Sequence, residues 1–358
     1  MRTLIVSDLH LGARTRTDLV QARAPRERLL EALAGADRVV LLGDTLELRQ
    51  DPAREAVARA CAPLLEMGAA VGDTEVIVVP GNHDYGLIAP WLDARGQDHP
   101  PGPLQLEQRV DPGEASPIAT LVAGWLAPAR VTVAYPGVWL RDDVYATHGH
   151  YLDCHATVPT LERLAAGVMK RLVAPLPEGP LGVDDYEALL APVYAWMQAV
   201  TERTGAQFGI DSIRAWRLLA GGGRRRPLRA RVLARAFPLG IAALNRVGLG
   251  PLSADLSRAA LRRAGVQAMA EVCERLAIPA AHVVFGHSHR AGPLPEDDHA
   301  EWRAGRVSLV NSGCWVYEAR FMAGVSPRSP FWPGAGVVLD DREPPRLTRF
   351  LEGVALPT

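Results

Sequence analysis

The chain has 358 residues, of which 39 are basic and 40 acidic, giving a formal net charge of −1. With 48% hydrophobic and 22% charged residues it has an ordinary globular composition, which excludes a disordered, collagenous or coiled-coil chain. The length suits one large domain, or a core domain carrying a sizeable insertion.

The first third alternates short apolar runs with helical periodicity. Leu4 to Ser7 reads as a strand directly after Met1-Arg2, so no secretory leader is expected. Pro25 to Leu33 reads as a helix, Arg38 to Leu42 as a strand ending at Gly43-Asp44, and Pro52 to Met67 as a helix. Glu75 to Val79 is a strand ending at Pro80-Gly81. The apolar stretch from Pro117 to Ala129 is too short to span a bilayer and reads as a buried helix. Val131 to Thr147 follows as two or three strands around a Pro136-Gly137 turn. Such alternation predicts a layered α/β architecture.

From Ala156 to Ala280 strand signals stop. Helices are expected at 158–172, 184–204, 211–219, 228–245 and 252–276, punctuated at Pro175 to Gly182 and at Gly221-Gly222-Gly223. Trp196 and Met197 fall in this region and are expected in the core. Strands resume at His282 to Phe285, Arg306 to Val310 and Gly336 to Leu339. The expected organisation is an α/β core, residues 1–155 and 281–358, interrupted by an all-helical insertion, residues 156–280.

Metal-binding residue types sit just past five of these strands. They are Asp8 and His10, Asp44, Asn82-His83-Asp84, His148, and His287 and His289. Each piece alone is weak, since Asp-x-His and Gly-Asp are common in turns. In α/β folds, however, ligands gather at the carboxyl ends of strands, so one sheet could bring the whole set together. Asp8, His10, Asp44, Asn82, His148, His287 and His289 are too many for one tetrahedral zinc. With Asp44 shared they divide into two sets of four, and mixed imidazole and oxygen donors suit Mn²⁺ first, then Fe or Zn²⁺. Two cations about 4 Å apart suit displacement at phosphorus.

Asp8-x-His10, Gly43-Asp44, Gly81-Asn82-His83-Asp84, His148 and Gly286-His287-x-His289 together resemble the signature of the calcineurin-like metallophosphoesterases. The resemblance implies a β-sandwich flanked by helices and hydrolysis of a phosphoester or diphosphate bond. It also implies a first metal on Asp8, His10, Asp44 and His289, and a second on Asp44, Asn82, His148 and His287. His83 would touch the phosphate or protonate the leaving group, with Asp84 orienting its imidazole. The layout is similar to bacterial UDP-2,3-diacylglucosamine pyrophosphatases, which carry arginine at the position of His83 and have a shorter helical lid. A cyclic-nucleotide phosphodiesterase or nuclease would use the same core. A metal-free interaction module would be expected to have lost ligands, and here all are present.

Further candidates lie near these motifs. His150, Asp153 and His155 follow His148, and Asn311-Ser312-Gly313 follows a strand after the histidine pair. His150 and Asn311 are expected to touch substrate. The cysteines Cys61, Cys154, Cys273 and Cys314 lack CxxC spacing, so neither zinc knuckle nor disulfide framework is expected and a reducing cytoplasm fits.

The near-neutral total hides a charge imbalance. Residues 214–263 carry twelve arginines and one acid, Asp255, for a net +11 against −12 in the remainder. Arg229, Arg231 and Arg235 alternate with apolar residues as on a basic amphipathic helix. The expected partner is a phosphorylated small molecule, a lipid-linked substrate or an anionic membrane face, which would make the protein peripheral to the membrane. A lid packed on the core is the competing reading. Nucleic acid comes third, because Trp216 and Phe237 alone offer little base stacking.

Overall fold

The structure is a computed structural model that describes residues 1–98, 102–158, 161–172, 178–204, 228–255, 258–317, 326–354 and 356. Its strands are β1 (Thr3–Val6), β2 (Arg38–Leu42), β3 (Glu75–Val79), β4 (Glu107–Val110), β5 (Arg130–Arg141), β6 (Val144–Thr147), β7 (His282–Phe285), β8 (Arg303–Ala304), β9 (Val307–Asn311), β10 (Ala335–Leu339) and β11 (Arg346–Arg349). They form one ladder in the order β11-β10-β1-β2-β3-β5-β6-β7-β9-β8, with β4 beside β5. β1, β2, β3 and the start of β5 run parallel, as do β6, β7 and β9.

The long strand β5 turns this ladder into two facing halves. Residues Glu75 to Val78 of β3 pair with Arg130 to Val133, whereas β6 pairs with Gly137 to Arg141. The expected Pro136-Gly137 turn is therefore not a chain reversal, because both residues lie inside β5. Pro136 still offers its carbonyl, which accepts from Thr147 Oγ1 at 2.8 Å. A Cβ on Gly137 would collide with Tyr145 and the Ala146 carbonyl, so only glycine lets β6 come this close.

Side-chain alternation builds two cores from the same strands. Ile5, Val40, Leu42, Ile77 and Val79 from one half meet Val138, Val144, Ala146, Val284 and Val310 from the other in a single buried cluster. Leu4, Val6, Val39, Leu41, Val76, Val78, Val283 and Phe285 face the opposite way and pack with the helices. The result is a mixed α/β fold with a curled central sheet flanked by helices.

Every described element between residues 156 and 280 is helical: Leu161–Leu172, Val183–Thr204, Leu228–Arg246 and Arg258–Arg275. The expected helix at 211–219, Trp216 and the triple glycine at 221–223 lie outside the described residues. The last helix starts later than expected, at Arg258. Before it, the Asn245 side chain brackets Leu252, accepting from its N–H at 2.8 Å and donating to its carbonyl at 2.9 Å.

This region is not simply laid over the core. Tyr186, Leu189, Leu190, Val193, Tyr194 and Met197 of Val183–Thr204 belong to the main apolar cluster, as do Val266, Met269 and Val272 of Arg258–Arg275. Glu187 fastens the first of these helices, accepting hydroxyls from Tyr135 at 2.6 Å, Tyr85 at 3.1 Å and Tyr151. Burial pushes its carboxyl up, and the tyrosine donors partly restore the charged form. Met197 is core as expected, but its neighbour Trp196 is 55% exposed. No helix among the described residues is long and apolar enough to cross a membrane.

Ile77 is fully buried between the two halves of the sheet. Ile77→Ala should lower the unfolding free energy by about 2–5 kcal/mol in urea titrations. A loss under about 1 kcal/mol would contradict a shared core between the halves.

Candidate metal centre

Five loops leave the carboxyl ends of β1, β2, β3, β6 and β7 and meet at one place. The backbone there is unusual. Asp8, His10, Asp44, His287 and His289 have φ of 54°, 48°, 50°, 63° and 55°, in the left-handed region that side chains with a Cβ avoid. These five are most of the non-glycine residues with positive φ among those described. Strain concentrated on candidate ligands is the mark of a site that the surrounding structure holds in place. Gly43 serves the same end, since a Cβ there would overlap the His148 ring.

The candidate ligands form two adjoining groups. Asp8, His10 and His289 make one, and Asp44, His148 and His287 the other, while His10 and Asp44 also close into a third set with His83; donor atoms in each set lie within 4.8 Å of one another. In the first, His289 Nε2 lies 3.1 Å from Asp8 Oδ1 and 3.3 Å from His10 Nε2. In the second, His148 Nε2 lies 3.3 Å from Asp44 Oδ2, and Asn82 Oδ1 lies 3.1 Å from His148 Nε2 and 3.0 Å from His287 Nδ1. Asp44 Oδ2 is also 3.7 Å from His10 Nε2, so Asp44 stands between the groups.

The outer nitrogen of each imidazole decides what the inner one offers. His148 Nδ1 donates to the Leu42 carbonyl at 3.1 Å, His10 Nδ1 to Glu47 at 3.1 Å and His287 Nε2 to Asp153 at 3.1 Å. In the neutral rings the inner nitrogens then carry lone pairs aimed at other acceptors. Asp8 Oδ1 is deeply buried and faces only imidazole nitrogens, His289 Nε2 at 3.1 Å and His10 Nε2 at 3.9 Å, among the described residues. Converging lone pairs and carboxylates without protons fit divalent cations. Reversing the Asn82 amide would instead satisfy the protein without a cation, its nitrogen donating to both imidazoles and its oxygen accepting from Arg49 Nη1 at 2.9 Å.

Without a cation, protons balance the charge. Burial pushes His148 down, but Asp44, Asp8 and Asp84 outweigh it and raise the imidazole to about 9. Burial pushes Asp44 up, and the imidazoles of His148, His83 and His10 bring it well below the usual carboxylate range.

His83 sits at the edge of the site with its side chain 20% exposed, and its ring meets His10 edge-on at 4.6 Å between centroids. The carboxylate beside it is not Asp84, as expected, but Glu47. Glu47 lies 2.9 Å from His83 Nδ1 through both oxygens and takes His10 with the same group. Against the cost of burial, those two imidazoles hold Glu47 well below the usual carboxylate range. Asp84 instead accepts backbone N–H groups from Gly81 at 2.6 Å, Thr45 at 2.7 Å, Leu46 at 3.2 Å and Asp44 at 3.3 Å. Burial and the charge of Asp44 push its carboxyl up to about 6.

The other candidates fall behind the site. His150 is buried beneath His148, with Nε2 3.3 Å from the Tyr135 hydroxyl, so it presents no face to substrate. Asn311 is likewise buried and not a pocket wall. Its amide donates to the Gly286 carbonyl at 2.8 Å and Ser288 Oγ at 3.0 Å, bracing the His287 loop. His155 reaches Tyr186 at 2.8 Å, away from the ligands. Cys154 and Cys314 are small buried residues, and no disulfide joins the four cysteines. Arg229, Arg231 and Arg235 lie on helix Leu228–Arg246, but their side chains are outside the described structure.

The calcineurin-like phosphoesterase family profile matches residues 1–180. No curated protein matches the chain. Among solved structures, a dimetal phosphatase from Danio rerio aligns over 98% of this chain and 99% of its own, at 12% identity and a TM-score of 0.34. That likeness is too slight to carry an argument.

Titration with Mn²⁺ should reach two equivalents in the wild type and fewer in Asp44→Ala. Because His148 must shed a proton that it holds up to about pH 9, affinity should rise with pH from 6 to 8. The expected slope is about tenfold per unit for each proton displaced. Calorimetry showing pH-independent affinity would remove His148 from the ligand set.

Proposed function

Because the chain belongs to the calcineurin-like phosphoesterase family, which makes it a phosphoric ester hydrolase, we propose that its centre cleaves a phosphodiester or diphosphate bond. The observation that carries this reading is Asp44 standing between two groups of imidazole and carboxylate donors. In this reading Asp8, His10, Asp44 and His289 hold one divalent cation, and Asp44, Asn82, His148 and His287 hold the other. Mn²⁺ is the expected metal, ahead of Fe or Zn²⁺. The cations supply Lewis acidity toward the phosphoryl group and water.

The remaining steps belong to side chains. Nδ1 of His83 donates to Glu47, and with a second proton on Nε2 the imidazolium can hand that proton to the departing oxygen and return to neutral. Glu47 fixes the orientation of the ring by taking its Nδ1 proton in a hydrogen bond. Asp84 keeps the two loops carrying Asp44 and His83 in register. The layout similar to UDP-2,3-diacylglucosamine pyrophosphatases supports a lipid-linked diphosphate among the candidate substrates.

Helix Leu228–Arg246 supports a membrane-facing role for the same region. Leu239 is 75% exposed and Val247 is 48% exposed, within the arginine-rich stretch. Each basic residue near an anionic bilayer contributes roughly 1 kcal/mol, and the apolar side chains add insertion.

His83→Ala should slow hydrolysis of a dialkyl phosphodiester by about 10²–10⁴-fold. The loss with bis(p-nitrophenyl) phosphate should be much smaller, because that leaving group departs without a proton. Equal losses would show that His83 is no proton donor. For the membrane reading, Leu239→Glu should reduce cosedimentation with anionic phosphatidylglycerol vesicles, and unchanged binding would favour a helix that serves only as a lid.

A further inference from the structure

The buried carboxylate of Glu47 serves two imidazoles in different places. His10 Nδ1 donates to its Oε2 at 3.1 Å, and His83 Nδ1 lies 2.9 Å from both oxygens. His10 belongs to the candidate ligands, whereas His83 lines a small cleft that it shares with Tyr194 and Gln198 of helix Val183–Thr204. The two rings meet at 82° between their planes, so they approach the carboxylate from different directions. The last torsion of a glutamate is soft. A carboxylate free to turn about it would let both rings move, so the plane of Glu47 has to be held.

Two further donors hold it, one on each oxygen. The Arg49 backbone N–H donates to Oε1 at 2.9 Å, and Gln50 Nε2 donates to Oε2 at 3.1 Å. The first is set by the chain itself, two residues on from Glu47. The second depends on a side chain that is anchored in turn. Gln50 Oε1 accepts from Thr15, from its N–H at 3.4 Å and from its Oγ1 at 3.2 Å. Both ends of the amide meet partners of the right kind, donors at the oxygen and a carboxylate at the nitrogen, so its orientation is fixed. Thr15 lies on the loop after β1 and Gln50 on the loop after β2. Gln50 therefore ties the loop that carries His10 to the carboxylate that His10 and His83 share.

We propose that Gln50 is a positioning residue for proton transfer, fixing the Glu47 carboxylate and, through it, the direction in which His83 presents Nε2 to the leaving group. This rests on the reading of His83 as proton donor. Gln50 acts through Glu47 and not by touching substrate. Without its amide, Glu47 keeps the Arg49 N–H and both imidazoles, so the centre still assembles while the His83 ring gains freedom to swing. That separates Gln50 from Asp84, whose loss would disturb the loops themselves.

The test uses Gln50→Met, which keeps the length of the side chain and removes the amide. In the Mn²⁺-loaded protein, kcat for a dialkyl phosphodiester should fall about tenfold, with KM and the two Mn²⁺ equivalents unchanged. Bis(p-nitrophenyl) phosphate, whose leaving group needs no proton, should be cleaved within about twofold of wild type, which also shows that the variant is folded. In a His83→Ala background the same substitution should cost less than about twofold on the dialkyl diester, because the group it acts through is gone. A readout apart from activity is the His83 Nδ1–H signal in ¹H–¹⁵N spectra of the diamagnetic Zn²⁺-loaded protein, assigned by its absence in His83→Ala. In Gln50→Met that proton should exchange with solvent about tenfold faster. Equal losses on the two diesters, no loss on either, an undiminished loss in the His83→Ala background, a missing Mn²⁺ equivalent or an unchanged exchange rate would overturn the assignment. If His83→Ala itself lost equally on both diesters, the proton-donor reading would fail instead, and the exchange rate would still decide whether Gln50 holds the ring.

Discussion

One buried carboxylate holds the centre together. Asp84 accepts N–H groups from Asp44, Thr45 and Leu46 after β2 and from Gly81 after β3. Those loops carry Asp44 and Glu47 on one side and Asn82 and His83 on the other. Hydrogen bonds to a buried carboxylate are worth more than neutral ones, and an orphaned partner is costly. With Asp84 in place, left-handed backbone at Asp44 becomes tolerable and its carboxylate can stand between the two donor groups.

The arrangement also settles how a cluster of acids survives burial. Asp8, Asp44, Glu47 and Asp84 are all nearly inaccessible to solvent. Two of them face imidazoles that balance their charge by taking protons, one lies between His10 and His83, and one is solvated by backbone amides. Cations would replace the protons on the first two and leave the other two as they are. Loading and proton release are thus two aspects of one equilibrium.

Much of this was legible in the residues themselves. β2, β3 and β7 fall where their apolar runs end, because a strand buried on both faces leaves no ambiguity of period. The candidate ligands were legible for the same reason, each following such a run. Glu47 was missed, although a lone acid within Leu46-Glu47-Leu48 was a signal, since a carboxylate among apolar neighbours needs a partner. Asp84 was given to its sequence neighbour His83, but adjacent side chains in a tight loop point apart and backbone amides claimed it. β4 and β11 escaped notice because polar edge strands such as Glu107–Val110 and Arg346–Arg349 carry little periodic signal. Pro136-Gly137 looked like a turn because local chemistry does not reveal a strand crossing between two sheet halves.

Helix Val183–Thr204 begins just past residue 180, where the family match ends, yet Tyr194 and Gln198 from it wall the cleft at His83. Glu187 bolts that helix to Tyr85, Tyr135 and Tyr151 of the core without using any candidate ligand. The wall and the hearth are therefore separable. Substitutions along one face of a single helix can reshape what enters the site while the strained loops behind it go on unchanged. The candidate ligands and this wall of the cleft lie in different parts of the chain.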